Sequence, residues 1–100
     1  MAASVSIYWH EVPTAAVRLH PQGGGYGAPY TWHATLEQVE HEGQPTAWIT
    51  GIDRPLSGDE ARLVGEACYA EGFAWIGWER EKDGRPVWFP LPHRHGVKGC

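Results

Sequence analysis

Long apolar runs are missing from this chain. No stretch approaches the roughly 18 residues that a membrane-spanning helix needs, which excludes an integral membrane protein of the helical kind. The start, Met1-Ala2-Ala3-Ser4, lacks the basic segment and apolar core of a secretory signal. Cysteine is scarce: Cys68 falls within a helical pattern and Cys100 is the last residue. Two such residues make no disulfide framework, and the expected setting is a reducing cytoplasm. There is no paired-cysteine knuckle to accompany His93, His95 and Cys100, so those residues read as tail side chains and no metal is expected. Repeats and a second compositional region are also absent. One hundred residues therefore make one domain, over 1–92, with 93–100 as a flexible basic tail.

A strong basic patch, the usual footprint of a nucleic-acid module, is lacking too. The net charge is −4, yet it is uneven: residues 1–79 carry −7 and residues 80–100 carry +3. The basic part, Arg80, Lys82, Arg85 and Arg94, is mostly a turn and a tail. Solvated charge explains it more simply than nucleic-acid binding, which is kept as an alternative.

What the chain does hold is tryptophan, six in all, and a well-punctuated stretch from Leu56 to Leu91. Ser57 and Glu60 form a capping box, in which the serine hydroxyl accepts from the Glu60 N–H and the carboxylate reaches back to the serine N–H. Asp59 and Glu60 favour the positive end of the helix dipole. Leu63, Val64, Ala67 and Cys68 recur at helical spacing, and Gly72 supplies a left-handed stop, so the pattern predicts a helix over 58–71. Gly65 opposes it slightly, since an interior glycine costs about 1 kcal/mol against alanine.

Beyond Gly72 the period becomes that of strands. Residues 73–81 and 85–91 flank Asp83-Gly84, a two-residue hairpin signal that would set Lys82 opposite Arg85. Pro86 and Pro90 then need no N–H toward the partner strand, which suits an edge strand. In this register Ala74, Ile76, Trp78, Val87, Phe89 and Leu91 share one face. That face should pack on the helix, with Leu63, Val64 and Ala67 against Ile76, Trp78 and Phe89. The opposite face carries Phe73, Trp75, Gly77, Glu79, Glu81, Trp88 and both prolines.

Upstream, Val5, Ile7 and Trp9 alternate with polar residues as a strand, and Thr14–His20 makes a second. Residues 31–42 fit a helix through Trp32, Leu36 and Val39, and a strand through Trp32, Ala34 and Leu36. The strand is preferred because Gly43-Gln44-Pro45 reads as a turn into another strand at 46–51. The whole predicts an α+β domain: an antiparallel sheet of four to five strands, helix 58–71 on one face, and a C-terminal hairpin over 73–91.

Chemical motifs are thin. Gly23-Gly24-Gly25-Tyr26-Gly27-Ala28 matches a dinucleotide fingerprint, but a strand rather than a helix is expected next, so the segment reads as a mobile surface loop and no cofactor is assigned. Glu79 and Glu81 beside Trp75 and Trp88 suggest a sugar-binding or hydrolytic face. They stand about 7 Å apart on a hairpin face that is not a cleft, and Trp88 filling the gap at Gly77 is the simpler account. Cys68 reads as a small apolar core residue. No catalytic residue is assigned.

Helix, Gly72-Phe73, Trp75-Ile76-Gly77-Trp78-Glu79-Arg80 and Lys82-Asp83-Gly84-Arg85 together are similar to the C-terminal halves of small phage- or prophage-encoded proteins of unknown function. The resemblance spans residues 56–91 and contains no catalytic motif. It implies an accessory protein that acts by binding, for example as an inhibitor of a host complex. The expected role is a non-catalytic protein-interaction module using Trp75, Trp88 and Glu79, with Tyr26 and Tyr30 as a second contact.

Overall fold

The computed structural model describes residues 2–52, 54–80 and 82–91. Within them lie strands β1 (Ser4–Glu11), β2 (Thr14–His20), β3 (Trp32–His41) and β4 (Gln44–Thr50), helix α1 (Gly58–Ala70), then β5 (Trp75–Glu79) and β6 (Pro86–Pro90). The strands form one six-stranded sheet in chain order. All neighbours are antiparallel except β4 and β5, which are parallel. The α+β class with a single helix holds, while the expected antiparallel sheet of four to five strands does not. The reason is the helix between β4 and β5. Parallel neighbours need a crossover of a dozen or more residues, and α1 provides it, carrying the chain back along the sheet before β5 begins.

Two of the tight connections are set by local chemistry. Residues 31–42 are strand, as preferred, and β3 turns into β4 at Glu42-Gly43. Both have positive φ, 53° and 75°, the left-handed pair that a two-residue hairpin with the correct twist demands. Helix α1 starts with the anticipated capping box: Glu60 N–H donates to Ser57 Oγ at 3.2 Å, and Ser57 N–H donates to Glu60 Oε1 at 3.0 Å. It ends with the Gly72 N–H bonded to Tyr69 O at 3.0 Å and the Phe73 N–H to Cys68 O at 3.2 Å. That pair of bonds with Gly72 at φ 101° is a Schellman motif, and its usual apolar contact comes from Phe73, which is buried.

The C-terminal hairpin differs from expectation by a slip of two residues. Pairing runs Glu79 with Pro86, Trp78 with Val87, Gly77 with Trp88, Ile76 with Phe89 and Trp75 with Pro90. The loop is closed at Arg80 and Arg85 instead of Lys82 and Arg85: Arg80 N–H donates to Arg85 O at 2.8 Å, and Gly84 N–H to Arg80 O at 2.7 Å. Asp83 explains the longer loop. Its carboxylate takes two N–H groups from the Arg80 guanidinium, at 3.2 and 2.7 Å, and the Arg85 backbone N–H at 3.1 Å. It therefore acts as the loop's hub, where a two-residue turn would have placed it at the tip. A slip of two preserves the side-chain period, so the alternation of residues 74–78 and 87–91 and the edge position of Pro86 and Pro90 come out as expected. Phe73, expected on the open face beside Trp75, instead precedes the strand as part of the helix stop and is buried in the core.

The core lies between α1 and one sheet face, built from Ala15, Val17, Leu19, Trp32, Ala34, Leu36, Ala47, Ile49 and Ile76 against Val64, Cys68 and Phe73. Val5, Ile7, Trp9, Trp78 and Leu91 pack around it. The helix thus rests mainly on the N-terminal strands. Of the hairpin residues expected to meet it, Ile76 is buried, Trp78 is half-buried, and Phe89 is 40% exposed. Phe89 belongs to the edge strand and stacks on Trp78 (5.2 Å, 24°) instead of entering the core. The large aromatic at the centre is Trp32, 1% exposed, whose indole N–H donates to Arg54 O at 2.9 Å. The expected 93–100 tail, with Arg94, His93, His95 and Cys100, lies outside the described residues, as does Glu81.

Candidate interaction face

Side chains on the sheet face turned away from α1 follow from the registers. Arg18 alternates with Val17 and Leu19, Trp48 with Ala47 and Ile49, and Trp75 and Gly77 with Ile76. Among the described residues, no helix or second sheet covers this face. The N-terminal strands do not stack over Trp75 and Trp88, because they extend the same sheet sideways.

Four rings from four strands gather at the hairpin side. Trp88 of β6 lies opposite Gly77 and across it: a Cβ built on Gly77 would sit 2.7 Å from Trp88 Cζ3 and closer still to Cε3. Absence of a side chain at 77 is what lets the indole lie down on the sheet. His41 of β3 stacks on that indole at 4.1 Å and 13°, and meets Trp75 edge-on at 4.8 Å and 79°. Trp48 of β4 packs at 5.0 Å from Trp88. All four side chains are half-buried. The sequence marked Trp75, Trp88 and the gap at Gly77. It missed His41 and Trp48, because only the parallel register puts Trp48 beside Gly77, and no local pattern carries that information.

A second group sits on the same face at β1 and β2. The Arg18 guanidinium lies 3.9 Å from the Tyr26 ring centre and 4.4 Å from that of Tyr30, and it donates to Tyr26 O at 2.9 Å. Tyr8 stacks on Tyr26 at 4.5 Å, and Tyr30 meets His33 edge-on at 5.8 Å. The glycine-rich loop is thus laid over the sheet and fastened to it. His20, wholly buried, bonds Ser6 Oγ at 2.7 Å and Pro29 O at 3.1 Å, and Ser4 Oγ–H donates to Gly24 O at 2.9 Å. Strand β3 follows the loop, so the strand–loop–helix of a dinucleotide site does not form. Exposed Thr35, Glu37 and Thr50 separate the two aromatic groups.

Glu79 parts from the tryptophans. It ends β5, is exposed, and stands at the rim of a cavity of about 620 Å³ whose walls include Trp32, Ile49, Val64, Ile76 and Trp78. Arg54 at the same rim is bound to Glu60 at 3.1 and 3.3 Å and to Thr31 O at 3.2 Å. These bonds, with that from the Ser57 N–H, hold the Glu60 carboxyl below the ordinary carboxylate range. Of the basic residues, Arg80 is neutralised by Asp83, which holds the Asp83 carboxyl low in turn. Lys82 and Arg85 are exposed at the hairpin end.

Catalytic geometry is poor. Burial, aided by the charge of Glu71, pushes the Cys68 thiol up to about 12, so it is not poised as a nucleophile. Ser6 and His20 make the contact of a nucleophile–base pair, yet His20 is sealed in and neither residue lines the cavity. Among the described residues no group of three or more His, Cys, Asp or Glu could hold a metal, and no helix is long and apolar enough to cross a membrane. No family model matches the chain, and neither the curated proteins nor the solved structures include one significantly similar to it.

Proposed function

We propose that this chain is a non-catalytic binding module that engages another protein through the open sheet face, centred on Trp75 and Trp88 and flanked by Tyr26 and Tyr30. The observation that carries the reading is the cluster of Trp48, Trp75, Trp88 and His41, half-exposed on a part of the sheet that no helix or second sheet among the described residues covers. Tryptophan and tyrosine dominate binding energy at protein interfaces, and a polar surround that excludes water suits them. Exposed Thr35, Glu37 and Thr50 supply such a surround.

The same geometry weighs against the two alternatives. A sugar needs an open indole face, and His41 occupies one face of Trp88. Glu79, needed as a carboxylate partner, ends its strand at the cavity rim instead. Nucleic acid needs free positive charge, whereas Arg18 is enclosed by two tyrosines and Arg80 by Asp83. The resemblance of residues 56–91 to phage-encoded proteins makes a host complex the first partner to test. Unpaired, buried Cys68 suits a reducing cytoplasm.

Site-specific photo-crosslinking tests the reading in lysate of the cells that make the protein. A crosslinker in place of Thr50 should yield a discrete protein adduct that Trp88→Ala abolishes. One at Arg62, on the exposed side of α1, should yield none. Adducts from position 62 alone would overturn the assignment of the face.

A further inference from the structure

We propose that β1 is a homodimerisation edge, pairing antiparallel with β1 of a second copy so that two sheets become one. The two edges of the sheet differ in what they offer. On β6 the bonds from Arg80 N–H to Arg85 O and from Leu91 N–H to Ala74 O fix the alternation, so that Pro86, Trp88 and Pro90 turn their backbone away from β5. Two of those three have no N–H, and that edge is closed to pairing.

On β1 the alternation follows in the same way. The Gln38 N–H to Pro13 O bond of 2.8 Å and the β2–β3 register turn Ala15, Val17 and Leu19 toward β3. Ala16, Arg18 and His20 therefore face β1, bonding Tyr8, Ser6 and Ser4. Val5, Ile7 and Trp9 point their N–H and C=O outward, and among the described residues none of these groups has a backbone partner in another element. No proline or lysine interrupts Ser4–Trp9, and the register shift that ends regular pairing falls between Trp9 and Glu11.

The occupant that fits is β1 itself. Bonded pairs across a twofold axis must join outward-facing residues, and the fullest overlap is Val5 with Trp9, Ile7 with Ile7 and Trp9 with Val5. This register places only apolar side chains opposite one another on the helix-side face, where all three are now part-exposed. On the other face it sets Tyr8 against Ser6 and His10 against Ser4, with no like charges opposed. A C2 interface requires such self-complementarity.

The full chain with Cys100→Ser, leaving buried Cys68 as its native thiol, supplies the test. Bonded antiparallel partners have Cα atoms about 5.5 Å apart, within disulfide reach. Sedimentation should give twice the chain mass, falling to the single mass in Ile7→Lys with the circular dichroism spectrum retained. Under mild oxidation Ile7→Cys should link to itself. Val5→Cys should not, but should link when mixed with Trp9→Cys. A monomer at about 100 µM, a monomer that takes up an extended peptide instead, or a dimer whose only efficient self-link is at Val5 would each overturn the proposal. Because these residues lie away from Trp75 and Trp88, its failure would leave the open-face reading untouched.

Discussion

The two faces of the sheet use tryptophan in opposite ways. On the helix side Trp32 is sealed under α1, and its one polar atom is satisfied by Arg54 O. On the open side Trp88 rests on Gly77, with His41 as its cover. One ring is held by a layer, the other by a missing side chain beneath it and one stacked neighbour. The difference shows that tryptophan content alone does not distinguish core from surface. The opposing residue and the presence of a second layer decide.

Truncating the sealed ring should have the largest effect. Trp32→Ala should cost about 3–5 kcal/mol, against a whole-domain stability of about 5–15 kcal/mol. Urea titration followed by circular dichroism measures it. Trp78→Ala should cost less, because that ring is half-buried and its partner Phe89 stands on the edge strand, 40% exposed.

Gly77→Ala strikes the open face from beneath. The added methyl overlaps the Trp88 ring and reaches within 3.0 Å of Val87 O. The indole must lift off His41, and overpacking of this kind costs about 1–3 kcal/mol. Tryptophan fluorescence should shift to the red while the sheet persists, and an unchanged emission spectrum would show that Trp88 is not seated on the glycine.

Ser57→Ala removes one half of the capping box and should cost about 1 kcal/mol in a thermal melt. The acid response of the same corner has a definite sign. The folded Glu60 carboxyl titrates below its unfolded value, so its contribution is complete above the ordinary carboxylate range. It is lost as pH falls through the folded value. Glu60→Gln should flatten the acid limb of the melting curve slightly, since the Arg54 pair is partly exposed and screened by solvent. Gly65→Ala should be the mildest change and a favourable one. Its methyl would meet Leu91 Cδ2 at an ordinary 3.5 Å, and the helix would gain about 0.5–1 kcal/mol of propensity.

How far the sequence disclosed these features depended on how local their causes are. Helix α1 was legible from Ser57 to Gly72, because the capping box and the Gly72 stop act within a few residues. Phe73, read as a strand residue of the open face, instead closes the helix and enters the core. Strand faces were legible from alternation, which a two-residue slip at Asp83 could not disturb. The loop length was not, since Asp83 could either sit in the turn or bind across it, and only the folded hairpin brings Arg80 within reach. The parallel pairing of β4 with β5, and with it the meeting of Trp48 and His41 with Trp88, rests on strand order over long sequence separations. No residue announces that order, so the aromatic group was half foreseen: Trp75 and Trp88 were named, His41 and Trp48 were not.

The measurement that bears most directly on the central claim is the stability and partner capture of the Trp75→Ala/Trp88→Ala double variant, set beside Trp32→Ala. Aromatic contacts of this kind contribute about 0.5–1.5 kcal/mol each beyond their area. A half-exposed binding surface therefore predicts a cooperative melt, much less destabilised than that of Trp32→Ala, together with loss of the partner adduct formed from position 50. A double variant that unfolds as readily as Trp32→Ala, or one that melts cooperatively and still forms the adduct, would contradict it.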